Sequence, residues 1–167
     1  MISLLPKEEY KGTYDIPFEH FYSKGVRGVI FDIDNTLVLH DEPADDRACE
    51  LFKRLKQIGF KTCIVSNNGS ERVRKFADEV GSDYVENAGK PGTAGYKEAL
   101  NKMNLDKSDV ISIGDQILTD IWGSNNSGIY SILVGPVGPE KYFHIKLKRI
   151  IEKPIIHHYH RKTGKNG

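Results

Sequence analysis

The stretch VRGVIFDIDNTLV, residues 26–38, decides the fold. Its first eight residues are almost continuously apolar, which suits a strand covered on both faces. The run ends in two carboxylates one residue apart, Asp32 and Asp34. Burying one charge is costly, and two like charges more so, unless something compensates them. The turn-prone pair Asn35-Thr36 follows at once, so the chain is expected to turn there and turn both carboxylates toward one site. Taken alone, the pair either does chemistry or caps that turn.

Working outward, short apolar runs alternate with helical spacing. Residues 44–58 place Ala48, Leu51, Leu55 and Ile58 on one helical face and stop at Gly59. KTCIV (61–65) reads as the next strand, 70–81 as a helix ended by Gly81, and DYVEN (83–87) as a short strand. Residues 91–103 read as a helix opened by Pro91, DVISIG (109–114) as a strand, 117–127 as a short helix and 129–134 as the fifth strand. Such alternation predicts an α/β fold of three layers, Rossmann-like, with a central five-stranded, mainly parallel sheet. The length of 167 residues fits one domain, with a core over about 25–135 and extensions at 1–24 and 140–167. The first 25 residues read as irregular, 141–153 as a basic amphipathic helix, and the tail HHYHRKTGKNG as mobile, with His157, His158 and His160 solvated rather than metal-bound.

In parallel sheets of this kind, ligands bind beyond the carboxyl ends of the strands. The residues standing there form one chemical set. Asp32 and Asp34 follow the first strand, Ser66, Asn67 and Asn68 the second, Lys90 and Pro91 the third, and Gly114 and Asp115 the fourth, with Thr119 and Asp120 a turn later. Carboxylates gathered without cations repel, so a hard divalent cation such as Mg²⁺ is their natural compensation. A lysine and a serine hydroxyl add donors for phosphate oxygens, and an aspartate can serve as a covalent nucleophile. Each residue also has a plainer reading. Asp115 suits a helix cap, Ser66-Asn67-Asn68 a turn, Lys90 a surface charge, and Asp120 a partner that orients either Lys90 or the waters on a metal.

In order, DIDNT (32–36), SNN (66–68), KP (90–91) and GDQILTDI (114–121) resemble the four motifs of the haloacid dehalogenase-type phosphatases. The resemblance spans about residues 25–135. It implies Asp32 as nucleophile, Asp34 as general acid and base, and Lys90 with Ser66 and Asn67 on the phosphoryl group. It implies Mg²⁺ at the Asp32 side chain, the Asp34 carbonyl and the Asp115 side chain. Neither gap between the first three motifs is long enough for a cap domain, so an open site is expected. The pattern is most similar to the capless YqeG-type group of subfamily IIIA, with NAGKPG (87–92), GDQILTDIWGSN (114–125) and LLPKEEY (4–10) as further features. That group includes phosphatidylglycerophosphate phosphatases, which implies a lipid substrate.

Composition bounds the partners. A net charge of +1 predicts no general attraction to nucleic acid. From Glu140 onward eight Lys or Arg stand against two acids, so this end suits an anionic membrane surface, with Leu4 and Leu5 as a small apolar anchor. Cys49 and Cys63 lack metal-site spacing, and the N-terminus lacks a secretory h-region, so a cytoplasmic enzyme, peripheral at the membrane, is expected. Two other functions share the residues: a phosphatase for soluble sugar phosphates, nucleotides or phosphoproteins, and a non-enzymatic phospho-receiver-like module.

Overall fold

The computed structural model describes residues 3–165. In chain order its elements are β1 (Glu8–Tyr10), α1 (Phe18–Ser23), β2 (Gly28–Phe31), α2 (Asp46–Ile58), β3 (Lys61–Val65), α3 (Ser70–Val80), β4 (Asp83–Val85), α4 (Ala94–Met103), β5 (Val110–Gly114), α5 (Trp122–Asn126), β6 (Tyr130–Val134) and α6 (Phe143–Thr163). The strands form one six-stranded sheet in the order β1-β6-β5-β2-β3-β4, and every pairing is parallel.

The apolar run around β2 occupies the middle of this sheet, between β3 and β5, and all four of its residues are buried. Side chains alternate across a strand, so β2 feeds two cores. Val29 and Phe31 join Phe18 of α1, Leu51, Phe52 and Leu55 of α2, and Val73 and Phe76 of α3. Ile30 joins Tyr96, Ala99 and Met103 of α4 on the other face. Helices on both faces make the three expected layers. The helix stops also follow the sequence: Gly59 and Gly81 both take left-handed conformations, at φ 116° and 71°, which favour glycine.

Five expectations need correction. The sheet has six strands, because β1 pairs with β6 at the edge, Glu8 opposite Ile132. Three residues with sequence EEY carry no period of their own, and only the neighbouring strand makes them a strand. Leu4 and Leu5 are partly buried, and Leu4 packs on Ile117, Ile121 and Leu133 rather than standing free as an anchor. The helix expected from Pro91 starts at Ala94, and the one expected at 117–127 opens with a π turn over Ile117–Ile121 before α5. The C-terminal tail is helical: α6 runs 21 residues through His157, His158 and His160. Residues 166–167 of that tail lie outside the described residues.

The reason for α6 lies in its buried stripe. Ile145, Glu152 and Tyr159 are buried at seven-residue spacing, which is one face of a helix. His160 Nε2 lies 2.7 Å from Glu9 Oε2, tying the last turns to the β1 edge. The tail reads as polar because its anchors are few and widely spaced. Among the described residues no helix is long and apolar enough to cross a membrane.

Phe31 is fully buried, with ring centroids 5.0 Å from Phe52 and 6.2 Å from Phe18. Phe31→Ala is expected to lower stability by about 3–5 kcal/mol, through lost burial and the cavity left behind. Urea unfolding should show a lower midpoint at an unchanged slope. A loss below about 1 kcal/mol would contradict this placement of the core.

Candidate active site

The turn after β2 comes first. Asn35 takes φ 61°, a left-handed conformation that asparagine tolerates better than most residues. Thr36 and Leu37 both donate their N–H groups to the Ile33 carbonyl, at 3.1 and 2.9 Å. The Asn35 side chain then grips the loop beyond β6: its Oδ1 accepts from Gly138 N at 2.9 Å and its Nδ2 donates to Gly138 O at 3.1 Å. This turn carries Asp32 and Asp34 to one cleft, of about 290 Å³, at the carboxyl ends of the strands. Ser66, Asn67, Lys90 and Asp120 line the same cleft.

Lys90 is the hub. Its Nζ donates to Asp32 Oδ1 at 2.9 Å and to Asp120 Oδ1 at 2.6 Å. Its side chain is 4% exposed, so a charge here is held only by those partners. Asn67 holds the Lys90 backbone at both ends: Lys90 N donates to Asn67 Oδ1 at 2.8 Å, and Asn67 Nδ2 donates to Lys90 O at 3.2 Å. Ser66 is buried, and its Oγ accepts from Asn68 N at 3.1 Å. Asp120 is further fixed by the Gln116 N–H, which donates to its Oδ2 at 3.1 Å. It is the partner that orients Lys90.

Asp34 is placed differently. Its carboxylate accepts from Asp41 N at 2.9 Å, from Arg72 at 2.7 Å and from the Asn68 amide. It faces the cleft wall shared with α3, while the compact acidic cluster consists of Asp32, Asp115 and Asp120, whose oxygens lie within 4.8 Å of one another. Asp115 Oδ1 accepts from Thr36 Oγ1 at 3.0 Å, and its other oxygen accepts from Arg149 of α6. Arg149 also pairs with Glu140 at 2.6 Å and reaches Glu152 at 3.4 Å. Three carboxylates thus face two cations, Lys90 and Arg149. The donor set is all oxygen, which fits a hard divalent cation and not a soft one.

Sequence reasoning did not find Arg149 or Glu140. Arg149 belongs to a helix that reads as uniformly basic, and its partner is 34 residues away. One signal was present: Glu152 interrupts the basic helix in step with Ile145 and Tyr159, so an acid shares the buried stripe. The expectation of an open site is also modified. No cap domain intervenes between the motifs, but Tyr142, His144, Ile145 and Lys148 of the α6 segment wall one side of the cleft. His40 Nε2 sits 3.0 Å from Glu140 Oε2, joining the turn after β2 to that wall.

Residues 38–128 match the haloacid dehalogenase-like hydrolase family. The chain belongs to that family. It is 39% identical to the probable phosphatase YqeG of Bacillus subtilis, over 95% of this chain and 92% of that one. With phosphatase-named relatives across nearly its whole length, this hydrolase is a phosphatase, and the receiver-like reading falls away. It is 24% identical to phosphatidylglycerophosphate phosphatase 1 of Arabidopsis thaliana over 95% of its own length, which spans about half (49%) of that protein. Among solved structures, the hydrolase shares its fold with a cobalt-bound deoxy-D-mannose-octulosonate 8-phosphate phosphatase from Haemophilus influenzae (TM-score 0.51, 16% identity, 78% of this chain and 89% of that chain).

The electrostatics follow from burial. Burial pushes the Asp32 carboxyl up to about 8, Asp120 and Asp115 add to the rise, and Lys90 opposes it. Burial likewise pushes Asp115 up to about 7, with Arg149 opposing and Asp120 adding. Burial alone would lower Lys90, but Asp120 and Asp32 outweigh it and hold Lys90 well above its ordinary value. Without a metal the native state therefore keeps protons that an unfolded carboxyl, titrating near 3.8, has already released. That contribution to stability is complete below about pH 4 and is lost as pH rises through about 7 and 8. In EDTA, the melting temperature should fall between about pH 6 and pH 9, and fall less in Asp32→Asn. Added Mg²⁺ should raise it more at the alkaline end, where both carboxylates are ionised. A melting temperature that does not respond to pH over this range would contradict the buried acidic cluster.

Proposed function

We propose that this phosphatase hydrolyses a phosphomonoester through an aspartyl-phosphate on Asp32, with Mg²⁺ as cofactor and a lipid-borne phosphate, phosphatidylglycerophosphate, as substrate. The observation that carries the reaction is the convergence of Asp32, Ser66 and Lys90 from three separate strand ends on one cleft, with Asp115 of a fourth buried beside Asp32. Asp32 would act as the nucleophile. A carboxylate oxygen attacks phosphorus, the bond to the ester oxygen breaks, and an Asp32–phosphoryl bond forms. Asp34 gives its proton to the leaving oxygen, then takes one from the water that attacks the phosphoryl group and frees Asp32. To carry a proton, Asp34 must release one of its three donors, Asp41 N, Asn68 or Arg72.

Lys90 would meet the phosphoryl oxygens with a charge already held in place, and Ser66 and the Asn67 backbone N–H add donors. Asn67 also supports Lys90 through its side chain. The side chains of Asp32 and Asp115 with the Asp34 carbonyl would hold Mg²⁺, which would supply charge to offset that of the phosphoryl group and of the Asp32 carboxylate. The Thr36 hydroxyl, 3.0 Å from Asp115 Oδ1, orients that carboxylate.

The lipid assignment rests on two supports. One is the similarity to the Arabidopsis phosphatidylglycerophosphate phosphatase. The other is the size of the cleft: about 290 Å³ holds a phosphate and its first attachments, and the remainder of the substrate stays outside. A diacylglycerol body that stays in a bilayer meets that condition.

The reaction is tested with p-nitrophenyl phosphate and Mg²⁺. Asp32→Asn is expected to lower kcat by about ten-thousandfold, and Lys90→Met by about a hundredfold to a thousandfold. Turnover that survives Asp32→Asn would overturn the mechanism. The substrate is tested by phosphate release from phosphatidylglycerophosphate in mixed micelles, against sugar phosphates and nucleotides at equal concentration. Faster hydrolysis of a soluble ester would move the assignment to that class.

A further inference from the structure

Helix α6 has a second face that the cleft does not use. Phe143 (79% exposed), Leu147 (51%), Ile150 (60%) and Ile151 (53%) stand at i, i+4, i+7 and i+8, on the side opposite the buried stripe. They make up four of the eight large apolar or aromatic side chains exposed among the described residues, so apolar exposure is concentrated here. A patch of this kind marks an interaction surface.

Charge selects the partner. Lys146 and Lys153 are exposed along one edge of the stripe. The only acid in α6 is Glu152, and it is buried. The outward face of the helix thus offers apolar side chains and cations, and no anion. A second copy of this chain would set like charges against each other across the same stripe. An anionic bilayer satisfies both halves of the pattern: hydrocarbon takes the apolar side chains and headgroups take the lysines.

We propose that α6 docks this phosphatase on anionic lipid bilayers through the Phe143–Leu147–Ile150–Ile151 face, with Lys146 and Lys153 at the headgroups. The inference deepens the lipid-phosphate reading above and rests on it for its purpose. It adds which surface meets the membrane. The same helix walls the cleft through His144, Ile145 and Lys148. A docked α6 therefore keeps the cleft about one helix diameter, 10–12 Å, from the lipid surface. It also separates the roles of neighbouring cations, since Arg149 turns inward to Asp115 and is not available to lipid.

The test is sedimentation of the full chain with vesicles, one set of phosphatidylcholine alone and one with phosphatidylglycerol added. The wild type should pellet with the anionic vesicles only. Leu147→Glu/Ile150→Glu should lower the bound fraction by about tenfold or more, and Lys146→Gln/Lys153→Gln should lower it severalfold. Both variants should keep wild-type activity on p-nitrophenyl phosphate, which shows them folded. Three results would overturn the inference: no pelleting with anionic vesicles, equal pelleting with both vesicle types, or a dimer in sedimentation velocity that Leu147→Glu/Ile150→Glu dissolves. A wild type that fails to pellet yet hydrolyses phosphatidylglycerophosphate in micelles would sink the docking surface and leave the substrate reading standing. Pelleting without such hydrolysis would do the reverse.

Discussion

The ion pair network centred on Lys90 is what the rest of the site depends on. Three carboxylates, Asp32, Asp115 and Asp120, come within 4.8 Å of one another in a region with little access to water. Uncompensated, that arrangement would either stay protonated or open up. Lys90 supplies one charge, and its two short contacts fix Asp32 and Asp120 relative to each other. The lysine is itself held by its backbone through Asn67, so the strand ends of β2, β3 and β5 and the loop after β4 are locked together by one side chain. Arg149, shared by Asp115, Glu140 and Glu152, supplies the other charge, so carboxylates outnumber cations around the cluster.

Support for this network comes from two elements remote in sequence. Asn35 joins the turn after β2 to the loop after β6 with a pair of hydrogen bonds that mimic a strand pairing. Arg149 brings α6 against Asp115 and shares Glu140 with His40. A capless phosphatase thus gains a wall from its own C-terminal helix. That wall is held by the charges around Arg149 together with the buried Ile145 and Tyr159 and the packing of Ile155 and Ile156 on Ile117, Ile121 and Leu133.

The central sheet was legible because each strand is a local pattern. VIF, CIV and VISI are apolar runs whose period and length need no partner to be read, and the glycines at 59 and 81 mark helix ends by backbone geometry alone. The polar residues at the strand ends were legible for a related reason: in a parallel sheet those positions share one rim, so strand order hardly matters to their convergence. Asp32, Ser66, Lys90 and Asp115 meet as the motif order implies. Strand β1 was not legible, because EEY becomes a strand only through β6. Nor was the helical tail, whose anchors Tyr159 and His160 are meaningful only beside Glu9 and the sheet edge.

The division follows the range of the forces involved. Hydrophobic period, turn chemistry and the spacing of carboxylates are local properties of the chain, and by themselves they determined the layers, the central strand and the polar groups that stand at the strand ends. Which cation pairs with which carboxylate depends on the distances between elements far apart in sequence. Only the tertiary structure decided that Asp120 orients Lys90, that Arg149 turns inward to Asp115, and that the apolar side of α6 is left facing out. A charge finds its partner across the fold at hydrogen-bond distance, and that distance does not exist until the strands have paired.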